Sequence, residues 1–393
     1  MVIPSGVAGE VAALVAELAA TTTRPWTVME VCGGQTHAIV RWGLDQLLPP
    51  GLRLIHGPGC PVCVTPAATI DAALALARRP EVILASYGDM LRVPGSRPGD
   101  DLLGVRAAGG AVQLLTAPSQ AIALARAHPG RQVVFLAVGF ETTAPATALL
   151  ARQARSLGLT NLSILCAHVR VVPAMEALLA AAPADAPGEE ASQRVQAFLA
   201  AGHVAAVTGT GELAELVNRR ALPVVVSGFE PAELLRGLLA CVRRLEAGEP
   251  GLENAYGRVV RPAGNAAARA LLADVFSVVD RPWRGLGMIH GGGLALAPAW
   301  KDLDAAHRFC LIDPQPSDAV AGFPSPQLTD PCIAGEVLQG RIRPDQCTAF
   351  GGACTPDHPL GAPMVSSEGA CAAWYHYRGG VSPGPAACGA GDG

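Results

Sequence analysis

Lysine is almost missing from this chain of 393 residues: Lys301, in "APAWKDLD", is the only one. A phosphate-cradling Gly-Lys-Thr/Ser loop is therefore absent, which excludes a P-loop ATPase. A Schiff-base mechanism would rest on that single residue, in a stretch that suggests no site. Charge is scarce as well, 16% of residues with a net charge of -4, and no lysine- or arginine-rich block stands out. Neither a nucleic-acid footprint nor a polybasic membrane patch fits that balance. No apolar run reaches the length of a bilayer span, and "MVIPSGVAGEVAALVAELAA" lacks the basic start of a signal peptide. A cytoplasmic protein with no membrane or nucleic-acid partner is expected.

Half of the residues are hydrophobic, which suits a well-buried globular protein, and the length exceeds what one core usually fills. Eleven cysteines in a cytoplasmic setting point to metal binding or redox chemistry rather than to disulfide staples.

Short aliphatic runs, each followed by a turn and an alanine/leucine helix pattern, read as βαβ units with parallel sheets. "TVMEVCG", "LRLIHGPG", "EVILASYGD" and "AVQLLTAPS" make a first set; "QVVFLAVGFE", "LSILCAHV", "HVAAVTGTG" and "LPVVVSGFE" make a second in matching order. "MEVCGGQT" lines up with "LAVGFETT" and "IHGPGCPVCVTP" with "LCAHVRVVP", while "APADAPGEEASQR" reads as an exposed loop. The expected fold is α/β, with two related parallel-sheet, Rossmann-like units forming a cleft, residues 1–126 and 127–250. A third, iron–sulfur domain with a flexible tail is expected over 251–393, where Gly and Pro rise and four cysteines crowd together.

In open α/β sheets the ligand site lies beyond the carboxyl ends of the strands. Cys32, Cys60, Cys63, Asp89, Glu141, Thr142, Thr143, His168, His203 and Glu230 all fall at or just after such ends. "GPGCPVC" is a CxxC on a strand-to-helix turn, which suits a reversible disulfide or half of a metal site. Cys32, in "VCGGQTH" with His37 nearby, is read as a thiolate ligand or nucleophile, the bland alternative being a small buried hydrophobe. Cys332, Cys347, Cys354 and Cys371 contain no CxxC pair, so they do not resemble a zinc ribbon. Loops of that size suit a 4Fe-4S cluster held by four thiolates, with zinc the competing reading. Cys166 and Cys241 are read as core residues, Cys310 lies in an irregular stretch and Cys388 in the tail. His168 and His203 stand between core and site roles, and Glu141, a carboxylate at a strand end, needs a partner if buried.

"MEVCGGQTHAI", "GPGCPVCVTP", "GFETTAPATA", "GHVAAVTG", "GFEP", "WRGLG" and "MVSSEGACAAWYHYR" occur together and in the order found in the HypD family of hydrogenase maturation factors, which this chain resembles from about residue 13 to Arg378. The resemblance implies a scaffold that helps build the Fe(CN)2CO group of [NiFe]-hydrogenases, a redox-active assembly factor rather than a conventional enzyme. It implies a small chaperone partner, HypC, a cyanide donor, HypE, and indirectly the hydrogenase large subunit. Carried over by position, Cys32 is expected to hold the iron, with Cys60 and Cys63 as the redox pair beside it. Cys332, Cys347, Cys354 and Cys371 match the cluster ligands, and His203 and Glu368 fall in the functional set. Many members carry His where Gln35 stands, which shifts any proton-donating role there towards His37; Cys310 and Cys388 have no counterpart. The alternative function is an iron–sulfur, thiol-dependent oxidoreductase or lyase acting on a small molecule.

Overall fold

A computed structural model describes residues 5–97, 99–181, 194–311 and 332–379. Two sheets organise it. The first has the strand order β2-β1-β7-β8-β9, from Leu52–His56, Trp26–Glu30, Ala197–Ala201, Pro223–Ser227 and Gly251–Asn254, all parallel. The second has the order β10-β11-β6-β5-β3-β4, from Phe276–Trp283, Gly287–Leu296, Leu162–Val169, Gln132–Gly139, Val82–Ser86 and Val112–Leu114. Its β3, β4, β5 and β6 are parallel, and β11 and β10 add on antiparallel. Strands β1, β3, β7 and β8 are buried along their whole length, as parallel strands covered on both faces must be. That is why they read as continuous aliphatic runs.

The α/β class is as expected, but the sheets do not follow the division at residues 126 and 127. Each takes two strands from either half: β1 and β2 join β7 and β8, whereas β3 and β4 join β5 and β6. Within each sheet these four strands stand in the order second, first, third, fourth. By position in the sheets β1 therefore answers to β3, rather than to β5 as the motif alignment paired them. The segment "HVAAVTGTG" supplies no strand either. The strand is the preceding "AFLAA", and Gly202–Thr208 is a helix beginning at its end. The boundary at residue 251 likewise does not separate a third unit, because β9, β10 and β11 belong to the two sheets. The stretch 182–193, Cys388 and most of "LIDPQPSDAVAGFPSPQLTDP" lie outside the described residues.

One apolar cluster joins the sheets, with Met29, Phe198 and Val226 from the first, Val169 and Trp283 from the second, and Phe140 just beyond β5. The helix Pro231–Ala247 is closed at its start by a reciprocal capping box between Glu230 and Glu233, and at its end by Gly248 in the left-handed region. Glu230 is thus accounted for as a cap. Among the described residues no helix is long and apolar enough to cross a membrane.

Candidate functional site

The order of strands reverses between β1 and β7 in the first sheet, and a ligand site in an open α/β sheet lies beyond the carboxyl ends of the strands at such a reversal. Cys32 leaves β1 and caps the helix Gly33–Trp42. His203 leaves β7, and Cys60 leaves β2 to cap the short helix Pro61–Val64.

Two glycines let these loops interlock. A Cβ on Gly59 would stand 2.2 Å from the Cys32 nitrogen, so only glycine fits. Its carbonyl accepts the Gly33 N–H at 2.8 Å. Cys60 and Cys63 are joined in a buried disulfide with Cα atoms 5.3 Å apart, the reach a CxxC turn provides. Cys32 packs half-buried against the same apolar cluster. Burial pushes its thiol up to about 12; the N–H groups of Gln35 and Gly34 work against the shift, and the charges of Glu30 and Glu368 add to it.

The carboxy-terminal segment closes on both loops. A Cβ on Gly33 would lie 2.6 Å from the Glu368 Cβ. Glu368 is solvent-accessible, yet loss of water at its packed side raises its carboxyl above the ordinary range; Asp89 raises it further and His37 opposes. The helix Ala370–Arg378 lies along Gly33–Trp42, and the turn Ala362–Met364 lies on Pro61–Val64. Arg92 donates to the Val365 carbonyl at 2.9 Å, tying the segment to the second sheet. The "WRGLG" motif braces the disulfide from the other side. Arg284 N–H donates to Val64 O at 2.8 Å and its guanidinium to Pro94 O at 2.9 Å.

His203 is exposed and stacks on Phe229 with ring centroids 3.8 Å apart, and loss of water at that face lowers its pKa. Phe229 in turn covers Gly34, where a Cβ would come within 3.2 Å of its ring. His37 has both ring nitrogens occupied, Nδ1 donating to Ser367 O at 3.0 Å and Nε2 accepting from the Tyr377 hydroxyl at 3.2 Å. That pairing gives it a bridging place between the Cys32 helix and the carboxy-terminal helix. Gln35, where a histidine was the comparison, is fully buried. Its amide faces the carbonyls of Ala200, Ser227 and Gly228 at 3.2–3.3 Å, lacing the Cys32 helix to the ends of β7 and β8.

Cys332, Cys347, Cys354 and Cys371 line one small apolar cavity with Ile333, Phe350 and Met364. Leu360 N–H points at the Cys354 sulfur at 3.4 Å, and Gly361 lies so close to the Cys332 sulfur that a Cβ would meet it at 2.1 Å. Burial raises the Cys371 thiol well above its ordinary value, and the other three sulfurs add to the rise. Among the described residues no three His, Cys, Asp or Glu side chains are drawn tightly enough to grip a single metal ion. Four convergent sulfurs in an apolar wall, with the Leu360 N–H aimed at one of them, form a donor set that fits a 4Fe-4S cluster.

Other candidates resolve into the core. His168 is buried with both nitrogens bonded, to Gly139 O at 3.2 Å and Thr147 Oγ1 at 2.9 Å, and burial lowers its pKa to about 4. The Cys166 and Cys241 thiols each meet a backbone carbonyl, Leu294 and Phe198 respectively, and Cys310 is exposed. Glu141 follows β5 at the reversal point of the second sheet. One carboxylate oxygen accepts from Val171 N–H at 3.2 Å and the other is buried without a partner. Burial pushes this carboxyl up to about 7, against the pull of Arg170. Sequence reasoning passed over Glu30, Thr36 and His56, which form a buried network under Cys32. A charged residue closing the mostly apolar strand "WTVME" was the available signal.

The HypD family model, described as "Hydrogenase formation hypA family", matches residues 7–378. The chain is 42% identical over 377 residues to hydrogenase maturation factor HypD of Rhodobacter capsulatus, covering 95% of each. It is 46% identical over 355 residues to HypD of Azotobacter vinelandii, 90% of each. With HypD of Escherichia coli K12 it shares 44% over 365 residues, 92% of this chain and 91% of that one.

Proposed function

The chain belongs to the HypD family of hydrogenase maturation factors, and from that premise we propose that it is the scaffold on which an iron carrying cyanide and CO is assembled. Cys32 holds the iron as a thiolate, a soft donor suited to low-spin Fe(II) with strong-field ligands. The iron is cargo: it arrives and leaves with a small chaperone, HypC, whose own thiolate shares it, and HypE supplies the cyanide. The finished group passes on to the hydrogenase large subunit.

The single observation that carries this reading is the meeting of three segments at one end of the first sheet. Gly59 of the CxxC loop lies on the Cys32 backbone, and Glu368 of the cysteine-rich segment lies on Gly33. A ligand thiol, a disulfide and a four-cysteine pocket thereby share one neighbourhood. The Cys60–Cys63 disulfide takes up two electrons and two protons to give two thiols, and returns them on reoxidation. Cys332, Cys347, Cys354 and Cys371 would hold a 4Fe-4S cluster, which would supply electrons singly. In this reading His203, exposed and stacked on Phe229, and Glu368, with its raised carboxyl, exchange protons beside the Cys32 loop.

The test is infrared spectroscopy of protein purified without oxygen from cells that make the other maturation proteins. Cyanide and CO bands are expected, and Cys32→Ala loses them while keeping the cluster absorbance. Cys32→Ser is nearly as damaging, because an alkoxide is a hard, sparsely populated donor at neutral pH. A thiol-dependent oxidoreductase using Cys32 as nucleophile would also lose activity in these variants, so the bands decide. Cyanide and CO bands retained in Cys32→Ala refute the ligand role.

A further inference from the structure

The hydrogen bonds beneath Cys32 go beyond what a ligand loop needs in order to fold. Glu30 ends β1 and is wholly buried. Its carboxylate receives three donors: Cys32 N–H at 2.9 Å, His56 Nδ1–H at 2.8 Å, and the Thr36 hydroxyl. The parallel register sets Glu30 beside His56, so the pair is fixed by the sheet rather than by a loop. A buried carboxylate is tolerable only when its lone pairs are met in this way.

The other polar groups of the Cys32 backbone turn are bound as well. Thr36 N–H donates to Cys32 O at 2.9 Å, and Gly33 N–H to Gly59 O at 2.8 Å. The backbone at Cys32, and with it the direction of its Cα–Cβ bond, therefore cannot turn without breaking hydrogen bonds to buried groups. On its far side the His56 ring meets Trp374 edge-on at 6.5 Å, and Trp374 stands one helical turn beyond Cys371. One connected set of side chains thus runs from the Cys32 amide to the helix of the four-cysteine pocket.

We propose that Glu30 and His56 are positioning residues that fix the direction in which the Cys32 sulfur is presented to iron. The inference rests on the reading of Cys32 as the iron-holding residue. The device needs a carboxylate at position 30. A glutamine there has one acceptor oxygen and one donor group, so its amide must face a donor, either the Cys32 amide or the His56–Thr36 side. At position 56 it needs an N–H rather than an aromatic ring.

The test compares Glu30→Gln, His56→Leu and His56→Gln with Cys32→Ala, each purified as above. Outer-shell partners of a ligand are typically worth about tenfold or more in metal retention, so Glu30→Gln and His56→Leu should lower cyanide and CO band intensity per protein by about tenfold. Cluster absorbance and circular dichroism should be unchanged. His56→Gln keeps a donor and should recover most of the intensity. A packing role alone would favour Leu over Gln at so buried a position, which makes the opposite order the diagnostic one. A readout without iron is amide hydrogen exchange, where Cys32 N–H should exchange about tenfold faster in Glu30→Gln while β1 and β2 stay protected. If Glu30→Gln does not fold, the His56 pair decides.

Wild-type intensity and band position in Glu30→Gln and His56→Leu would overturn the proposal, provided Cys32→Ala has lost its bands. Bands retained in Cys32→Ala would overturn the ligand reading and this inference with it.

Discussion

Glu141 offers a perturbation whose size follows from its surroundings. One of its oxygens is buried without a partner, and burial moves the carboxyl from 4.5 to about 7. Because the folded-state pKa is raised, the native protein binds the proton more tightly than the unfolded chain between those two values. Stability is therefore highest at or below the unfolded value and declines as pH rises towards the folded one. Between pH 5 and pH 8 the loss comes to roughly 2.5 kcal/mol at 1.36 kcal/mol per pKa unit.

Buried His168 acts in the opposite sense. Its pKa is lowered from 6.5 to about 4, so stability is lost as pH falls below the unfolded value. Over the same interval it contributes about 2 kcal/mol of increase with pH. The two nearly cancel in the wild type, and a variant is needed to separate them. Glu141→Gln removes one titration, keeps an oxygen to accept the Val171 N–H, and leaves His168 in place. Urea unfolding followed by circular dichroism at pH 5 and pH 8 should show the variant gaining roughly 2.5 kcal/mol relative to wild type between the two conditions. The cost of an unbonded amide is common to both pH values and drops out. A difference between variant and wild type that is the same at pH 5 and pH 8 would refute the raised pKa and the burial argument beneath it.

Three further outcomes are expected. Cys347→Ala or Cys354→Ala should abolish the brown colour of anaerobic protein and its content of about four irons per chain, measured by absorbance and iron assay; a colourless, zinc-replete and active protein would end the cluster reading. Cys60→Ser and Cys63→Ser should each abolish maturation in a complementation assay with cluster absorbance intact, because either change removes the two-electron couple; normal maturation by both would remove the relay role. Gly59→Ala places a Cβ 2.2 Å from the Cys32 nitrogen, and because the obstacle is backbone rather than a movable side chain, a loss of about 1–3 kcal/mol or more in unfolding free energy is expected, with faster reduction of the Cys60–Cys63 disulfide by an external thiol.

The α/β class and the positions of Cys32, Cys60 and Cys63 just beyond strand ends were legible from the chain alone. Those readings depend on local signals: aliphatic runs of strand length, glycine-rich turns, and helices that begin at the turn. The four distant cysteines were legible as a set because such a density of thiols in one segment needs a purpose. That reading requires them to meet across 14, 6 and 16 intervening residues, and they do line one cavity; what surrounds them, Ile333, Phe350 and Met364, was not legible. "HVAAVTGTG" was misread for a local reason. Val and Thr spacing in a short stretch suits a strand or one helical turn, and only the pairing of "AFLAA" with β1 and β8 decides.

By itself the sequence determined which residues could be strands, which cysteines stand in glycine-rich turns, and to which family the chain belongs. Only the tertiary structure decided which strands share a sheet. Parallel strands buried on both faces carry no mark of their neighbours, so β1 looks as apt a partner for β3 as for β7. The same holds for charge. Glu30 and His56 lie 26 residues apart and look unremarked in the chain, yet the β1–β2 register sets them side by side under Cys32. His168, apt for a site by its place at a strand end, is a core residue because Gly139 and Thr147 satisfy both its nitrogens. A side chain's chemistry is written in its type, but its partners are set by packing, and burial makes those partners obligatory.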